Sequence, residues 1–264
     1  MSIILSPGNY FGNEQQFNED DSFKLNITIY QPETHIHEHY HENAYLSLLI
    51  NGSYEEVSKG RDTEIAPGEI LFRPAGYSHA NNFHHTGGKC LNIEFKEEWL
   101  RRAEVFRILP DKAAVYKAGT FDYLYRLLYA FSNNNIVNSE EYMLLWLSEF
   151  NTEKIPERLP WLPQVKAILE NEFEVHHTIK SIAARVFVHP VYLARAFKER
   201  EGITIGDYQL KMRLRKAAAL LFTTTLPVTD IAFTAGFSDA PHLVRAFRAN
   251  YHTTPHKFRS LLKS

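Results

Sequence analysis

The feature that most constrains this chain is an internal repeat in its C-terminal part. LARAFKEREGIT at 193–204 is echoed 50 residues later by LVRAFRANYHTT at 243–254, with Leu, Arg, Ala and Phe recurring in register. Each copy is preceded by a second matching stretch, IAARVFV at 182–188 and IAFTAGF at 231–237, shifted by 49 residues. Two short amphipathic stretches separated by a few residues, used twice, predict two units of helix, tight turn, helix.

The faces of the second helix in each unit indicate what the units do. Leu193, Ala196 and Phe197 fall on one side and Val191, Ala194, Arg195 and Lys198 on the other. The second copy repeats this with Leu243, Ala246 and Phe247 against Pro241, Val244, Arg245 and Arg248. One side packs and the other is free to recognise something. Pro190 and Pro241 suit helix starts, where a missing N–H is tolerated, and Ser238 is the expected N-cap. Gly236 suits the turn of the second unit, whereas the first unit carries Phe187 there. Between the units, GDYQLKMRLRKAAALLF places Leu210, Leu214, Ala217 and Leu221 on one stripe. A helix there would hold the two units at a fixed separation, as successive major-groove segments about 34 Å apart require.

Charge supports a polyanionic partner for this part. Residues 160–264 hold 15 Lys+Arg against 8 Asp+Glu, whereas residues 1–159 hold 14 against 23, so a net charge of −2 conceals a basic and an acidic segment. Solvated charge alone is the competing explanation. Arg195 stands one turn from Glu199 and can pair with it, an alternative to contacting DNA. Arg245 has Ala249 at the equivalent place and lacks that alternative. Lys198, Arg248, Lys257 and Arg259 are the expected phosphate contacts, which position without specifying sequence.

The N-terminal part has another period. From Phe23 to about Phe95 the chain alternates in short stretches such as FKLNITIYQ, YLSLLINGSY and CLNIEF, broken by Gly, Pro and Asn clusters, which predicts antiparallel strands. HIHEHYH at 35–41 puts His35, His37, His39 and His41 at every second residue, so a regular strand would turn all four rings to one face. After Lys96 come helical patterns: EEWLRRAEVFRIL, FDYLYRLLYAF and EEYMLLWLSEF. They form either a dimerisation surface or a cover that completes the core of the strands. Cys90, the one cysteine, excludes an internal disulfide and a Cys-based zinc site and is expected to be buried. With no apolar run long enough to span a membrane and no secretory start, a cytoplasmic protein without membrane contact is expected.

Two resemblances follow. His39-Tyr-His41, Tyr45 and Gly52, then Gly68, Pro74, Gly76 and His79 in GEILFRPAGYSH, resemble the two cupin motifs. This implies a small antiparallel, jelly-roll barrel with a ligand or metal in its mouth. His39, His41 and His79 fall on metal-ligand positions, but Tyr45 stands where metal-binding cupins carry Glu. Glu42 has the wrong strand parity to replace it. A divalent metal is therefore possible but not required, and an organic-ligand pocket walled by His35, His37, His39, His41, Tyr45 and His79 is the other reading. Over roughly its last hundred residues the chain resembles the DNA-binding domain of AraC/XylS-type transcription regulators, through RLRKAAALL, IAFTAGFSDAPHLVRAFR and TTPHKFR. By that pattern Val191, Arg195, Pro241 and Arg245 face bases, while His252 departs from the Gly at 202 in the first copy.

The expected chain is therefore a multidomain α and β protein. It has a cupin-like antiparallel β-barrel at 1–96, a helical bridge at 97–159 and an all-α double helix-turn-helix domain at 160–264. The expected function is transcription regulation on double-stranded DNA under control of a small-molecule effector, without enzymatic activity. A homodimer is expected, with RNA polymerase contact if the chain activates. The competing readings are a metal-dependent cupin enzyme carrying a DNA-binding domain, and a helical protein-interaction module in place of the DNA reader.

Overall fold

A computed structural model describes residues 3–58, 61–102, 108–133, 138–150 and 154–261. The chain divides into two compact units, Met1–Thr152 and Glu153–Ser264.

The first unit is built on strands β1 (Ile3–Leu5), β2 (Asn13–Glu19), β3 (Phe23–Tyr30), β4 (His35–His41), β5 (Tyr45–Ser58), β6 (Arg61–Ile65), β7 (Ile70–Arg73), β8 (His79–Phe95) and β9 (Ala114–Tyr116). They form one sheet in the order β1-β4-β8-β5-β7-β9, with β3 also on β8, β2 on β3 and β6 on β5. The long strands β5 and β8 change partners along their length, and the register between them shifts at Leu49/Asn51 and Gly52/Tyr54. Such shifts bend a strand and curl the sheet. Gly52, at φ +89, permits this bend, since a Cβ there would lie 2.0 Å from the Gly87 carbonyl oxygen. The result is a sheet-rich half-barrel; among the described residues the strand order does not close into the jelly-roll barrel expected from the motifs.

Period-two alternation gives the sheet two different faces. One rung across β3, β8 and β5 aligns Leu25, Ile93 and Leu46, and another aligns Ile27, Leu91 and Leu48. The intervening rung aligns Asn26, Asn92 and Ser47, all buried, on the opposite face. Helices α1 (Glu97–Arg102), α2 (Asp122–Ser132) and α3 (Ser139–Ser148) complete the unit. Trp146 on α3 packs its ring against Phe72 and Phe95, and Trp99 on α1 packs against Phe23 and Phe95. The helices thus complete the core of the sheet, which of the two readings of the bridge is the one observed. Their buried faces consequently lend no support of their own to the expected dimer. The part of EEWLRRAEVFRIL at 103–107 lies outside the described residues.

The second unit is all helix: α4 (Leu162–Asn171), α5 (Ile179–Val186), α6 (Pro190–Glu201), α7 (Ile205–Thr223), α8 (Val228–Thr234), α9 (Ala240–Tyr251) and α10 (Pro255–Leu261). The repeat is visible bond by bond. The Val188 N–H donates to Ala183 O at 3.1 Å and the Phe237 N–H to Ala232 O at 2.9 Å, so an equivalent bond closes the first helix of each unit. Gly202 and His252 both end their helices in the left-handed region, and both N–H groups donate to the carbonyl four residues back at 2.9 Å. The linking helix α7 runs for about 28 Å. Its Leu214, Ala217 and Leu221 join Ile231, Phe237, Leu243 and Phe247 in the core of the second helix-turn-helix. One capping expectation is corrected: Asp239, not Ser238, caps α9, accepting from the His242 N–H at 2.6 Å.

Phe187 occupies the same left-handed conformation as Gly236, at φ +56 against +81, with its side chain 94 % exposed. A Cβ in that region is strained by about 1 kcal/mol or more, and an exposed ring gains nothing from packing. Phe187→Gly should therefore stabilise the helical unit by about 1 kcal/mol. Thermal denaturation followed by helical circular dichroism checks this, and a lowered midpoint would show that Phe187 makes contacts worth more than its strain.

Candidate nucleic-acid interface and histidine pocket

The polar face of the sheet supplies the first site. His39 and His41 on β4, Tyr45 on β5 and His79 at the start of β8 are all buried. The His39 and His79 rings lie 4.3 Å apart, and His39, His41 and His79 each offer a nitrogen within 4.8 Å of the others. Carbonyl oxygens only accept, so His39 Nδ1 donates to His37 O at 2.9 Å and His79 Nδ1 donates to Tyr77 O at 3.1 Å. This leaves each Nε2 with its lone pair, and His79 Nε2 accepts from the Tyr45 hydroxyl at 3.1 Å. Burial, followed by the fields of His39 and Arg73, depresses His41 to about 3. Burial, followed by Arg73 and His39, holds His79 well below the usual histidine range, and burial also lowers His39. All three rings are neutral near pH 7, the state in which imidazole can ligate a metal or accept a hydrogen bond.

The surrounding wall is more polar than the sequence reading foresaw. Arg73 and Glu56, both buried, form an ion pair through two hydrogen bonds, and Arg73 also donates to the Tyr54 hydroxyl at 3.2 Å. Asn81 donates to Glu56 at 2.9 Å, and the Arg73 guanidinium lies 4.9 Å from the centre of the Tyr45 ring. On the polar rung, Ser47 donates to Asn92, which donates to Asn26 and Thr28. Tyr10 and Phe11, from the segment after β1, pack against His41 and His39, tilted in the first pair and edge to face in the second. That segment is tied down by Glu94, a buried carboxylate accepting from the Gly8 N–H, the Tyr10 hydroxyl and the Asn43 amide. The cavity among these residues, partly open to solvent, measures about 20 Å³.

Two histidines leave the pocket. Between β4 and β8 the register runs from Ile36 opposite Asn81 to His39 opposite His79, three residues against two. This bulge reverses the parity of the strand. Ile36, His39 and His41 are consequently buried, whereas His35 and His37 are exposed on the other side, with His35 bonded to Asn82.

The second site is the pair of helices α6 and α9. On α9, Pro241, Arg245 and Arg248 are exposed along one face while Leu243 and Phe247 are buried. On α6, Arg195 and Lys198 are half-buried and Val191 is only 1 % exposed. Val191 therefore packs within the unit instead of standing on the exposed face expected of it. It stands next to the turn that feeds α6, where His189 Nδ1 accepts from the Val191 N–H at 3.3 Å, and helical period alone does not register this fold-back. Lys257 is exposed in the first turn of α10, whereas Arg259 donates to the Leu226 carbonyl at 2.6 Å with its Nε and Nη2 atoms buried. Arg259 thus ties α10 to the segment before α8.

No helix among the described residues is long and apolar enough to cross a membrane. Residues 182–260 match a family model described as a helix-turn-helix domain. The arabinose operon regulatory protein of Escherichia coli (strain K12) is 25 % identical over 240 residues, covering 81 % of this chain and 80 % of that one. The HTH-type transcriptional activator RhaS of Klebsiella pneumoniae (strain 342) is 25 % identical over 270 residues, covering 90 % and 95 %. The probable transcription factor PqrA of Proteus vulgaris is 37 % identical over 93 residues, covering 34 % of this chain and 76 % of that one. With two repeated helix-turn-helix units on one linking helix and these relatives, the chain belongs to the AraC/XylS-type family of DNA-binding transcription regulators.

Proposed function

We propose that a small effector bound in the histidine pocket controls how the two helix-turn-helix units engage DNA, with Arg245 and Pro241 on α9 and Arg195 on α6 facing bases and Lys198, Arg248 and Lys257 facing phosphates. The observation that carries the pocket is its buried polar wall. His39, His41, Tyr45, Ser47, Arg73 and Asn92 line a concavity on an otherwise apolar sheet, an arrangement that suits oriented binding. Tyr45 argues against catalysis. At the position where a carboxylate would anchor a metal and exchange protons, burial holds the phenol protonated far above its usual range. A cavity of about 20 Å³ admits little more than a water or an ion, so an organic effector would have to displace part of the wall. Phe11, 46 % exposed, is the least anchored part of that wall.

The histidine trio favours a second reading, in which the controlling ligand is a divalent cation. Three neutral imidazoles and a water form a reasonable set for Zn²⁺, with nitrogens about 3.4 Å apart at tetrahedral bond lengths, so the rings would close by roughly 1 Å. Zn²⁺ at about a hundred times its dissociation constant should then stabilise the wild type by about 2.7 kcal/mol and leave His41→Ala unmoved. Thermal denaturation with Zn²⁺ as the probe decides between the readings, since no shift in the wild type leaves the organic effector. Turnover of a small substrate by purified protein, abolished in His79→Ala, would overturn regulation by this pocket in favour of an enzyme.

A further inference from the structure

The turn between α4 and α5, residues 172–175, is held from three directions. Arg185 on α5, in the first helix-turn-helix, donates two 2.7 Å hydrogen bonds to the Glu172 carboxylate. Arg213, buried on the linking helix α7, donates through Nε to Phe173 O at 2.8 Å and through Nη2 to Val175 O at 3.2 Å. Gln209, one turn earlier on α7, donates to the same Val175 carbonyl. Gly236, in the turn of the second helix-turn-helix, also lies against this segment. A Cβ at Gly236 would sit 2.9 Å from Glu174 Cα, 3.0 Å from Phe173 O and 3.1 Å from Arg213 Nε. One four-residue turn thus touches the first unit, the linking helix and the second unit.

A guanidinium is suited to this place because its rigid fork binds two carbonyls two residues apart at once, which a lysine ammonium cannot do with the same geometry. We propose that Arg213 is a positioning residue that fixes the relation between the reading helices α6 and α9, and so determines which spacing of two half-boxes in DNA the chain accepts. The inference rests on the reading that both units contact DNA. On B-DNA one inserted base pair displaces the second half-box by about 3.4 Å and rotates it by about 34°. A rigidly clamped pair of readers cannot follow that change, whereas a loosened pair can.

The test uses full-length protein on three DNAs: a selected two-box operator, the same operator with one base pair inserted between boxes, and DNA carrying one box. Wild type should lose about tenfold or more on the insertion, comparable to a mismatched base pair. Arg213→Met should reduce that ratio to about threefold or less, with affinity for the one-box DNA unchanged. Gly236→Ala, which forces the turn and the 172–175 segment apart, should flatten the ratio in the same way and serves if Arg213→Met does not fold. Arg213→Lys should restore the ratio only in part. An unchanged ratio in a folded variant, or an equal loss on all three DNAs, would overturn the proposal and leave Arg213 a purely structural residue. Failure of wild type to distinguish two-box from one-box DNA would instead refute engagement by both units.

Discussion

Arg73→Met should destabilise the sheet unit by about 3–5 kcal/mol, because it leaves the Glu56 carboxylate buried without its cation. Arg73 and Glu56 are each 3 % exposed, so water cannot replace the lost partner, and of the described donors to Glu56 only Asn81 remains. The loss comes chiefly from the stranded charge. The double variant Arg73→Met, Glu56→Leu should consequently recover most of it, since a well-packed apolar replacement of a buried pair is often neutral or better. Denaturant unfolding followed by the fluorescence of Trp99 and Trp146, both in this unit, measures the effect. A single variant within 1 kcal/mol of wild type, or a double variant no better than the single, would show that the pair is not the determinant of stability here. The pair also bears on the pocket, because Arg73 lies over Tyr45, whose hydroxyl is bonded to His79. Effector response should therefore fail in the double variant even where the fold is regained, which separates the role of the pair in the pocket from its role in stability.

Much of the helical unit was legible because its information is local. Helical period, the recurrence of Leu-x-Arg-Ala-Phe and the suitability of Gly236 for a turn each act within a few residues, and the structure has each of them. The stripe of Leu214, Ala217 and Leu221 was legible for the same reason. What period could not show was a side chain turned back on its own unit, as Val191 and Arg259 are. The sheet was less legible at its site. Alternation in HIHEHYH is a valid rule for an unbroken pleat, and one extra residue between Ile36 and His39 reverses it, so half of the four histidines point elsewhere. No residue within the stretch announces the bulge, which is defined by pairing with β8 some forty residues away. Tyr10, Phe11 and Glu94 joined the pocket region for a similar reason. Their contacts span more than eighty residues between Glu94 and the Gly8–Tyr10 segment, beyond what any sequence window relates.

Arg245→Ala should weaken binding to a selected operator by about 1–3 kcal/mol, roughly five- to 150-fold, and relax preference at one base pair. Arg245 lies on the exposed face of α9 between Pro241 and Arg248, and among the described residues it has no hydrogen bond or ion pair that it would give up to reach a guanine edge. Its counterpart Arg195 is half-buried on α6, so Arg195→Ala mixes lost contact with lost packing and should relax specificity less cleanly. Lys257 provides the contrast, being an exposed cation in the first turn of α10 whose expected role is to meet a phosphate. Lys257→Ala should weaken binding to operator and scrambled DNA alike and lower the dependence of affinity on salt by about 0.9 in logarithmic slope. Measuring both variants on both DNAs across several salt concentrations separates reading from positioning. A loss for Arg245→Ala that is equal on the two DNAs would assign Arg245 to the backbone as well, and base reading by the second unit would then have to come from its neighbours Pro241 and His242.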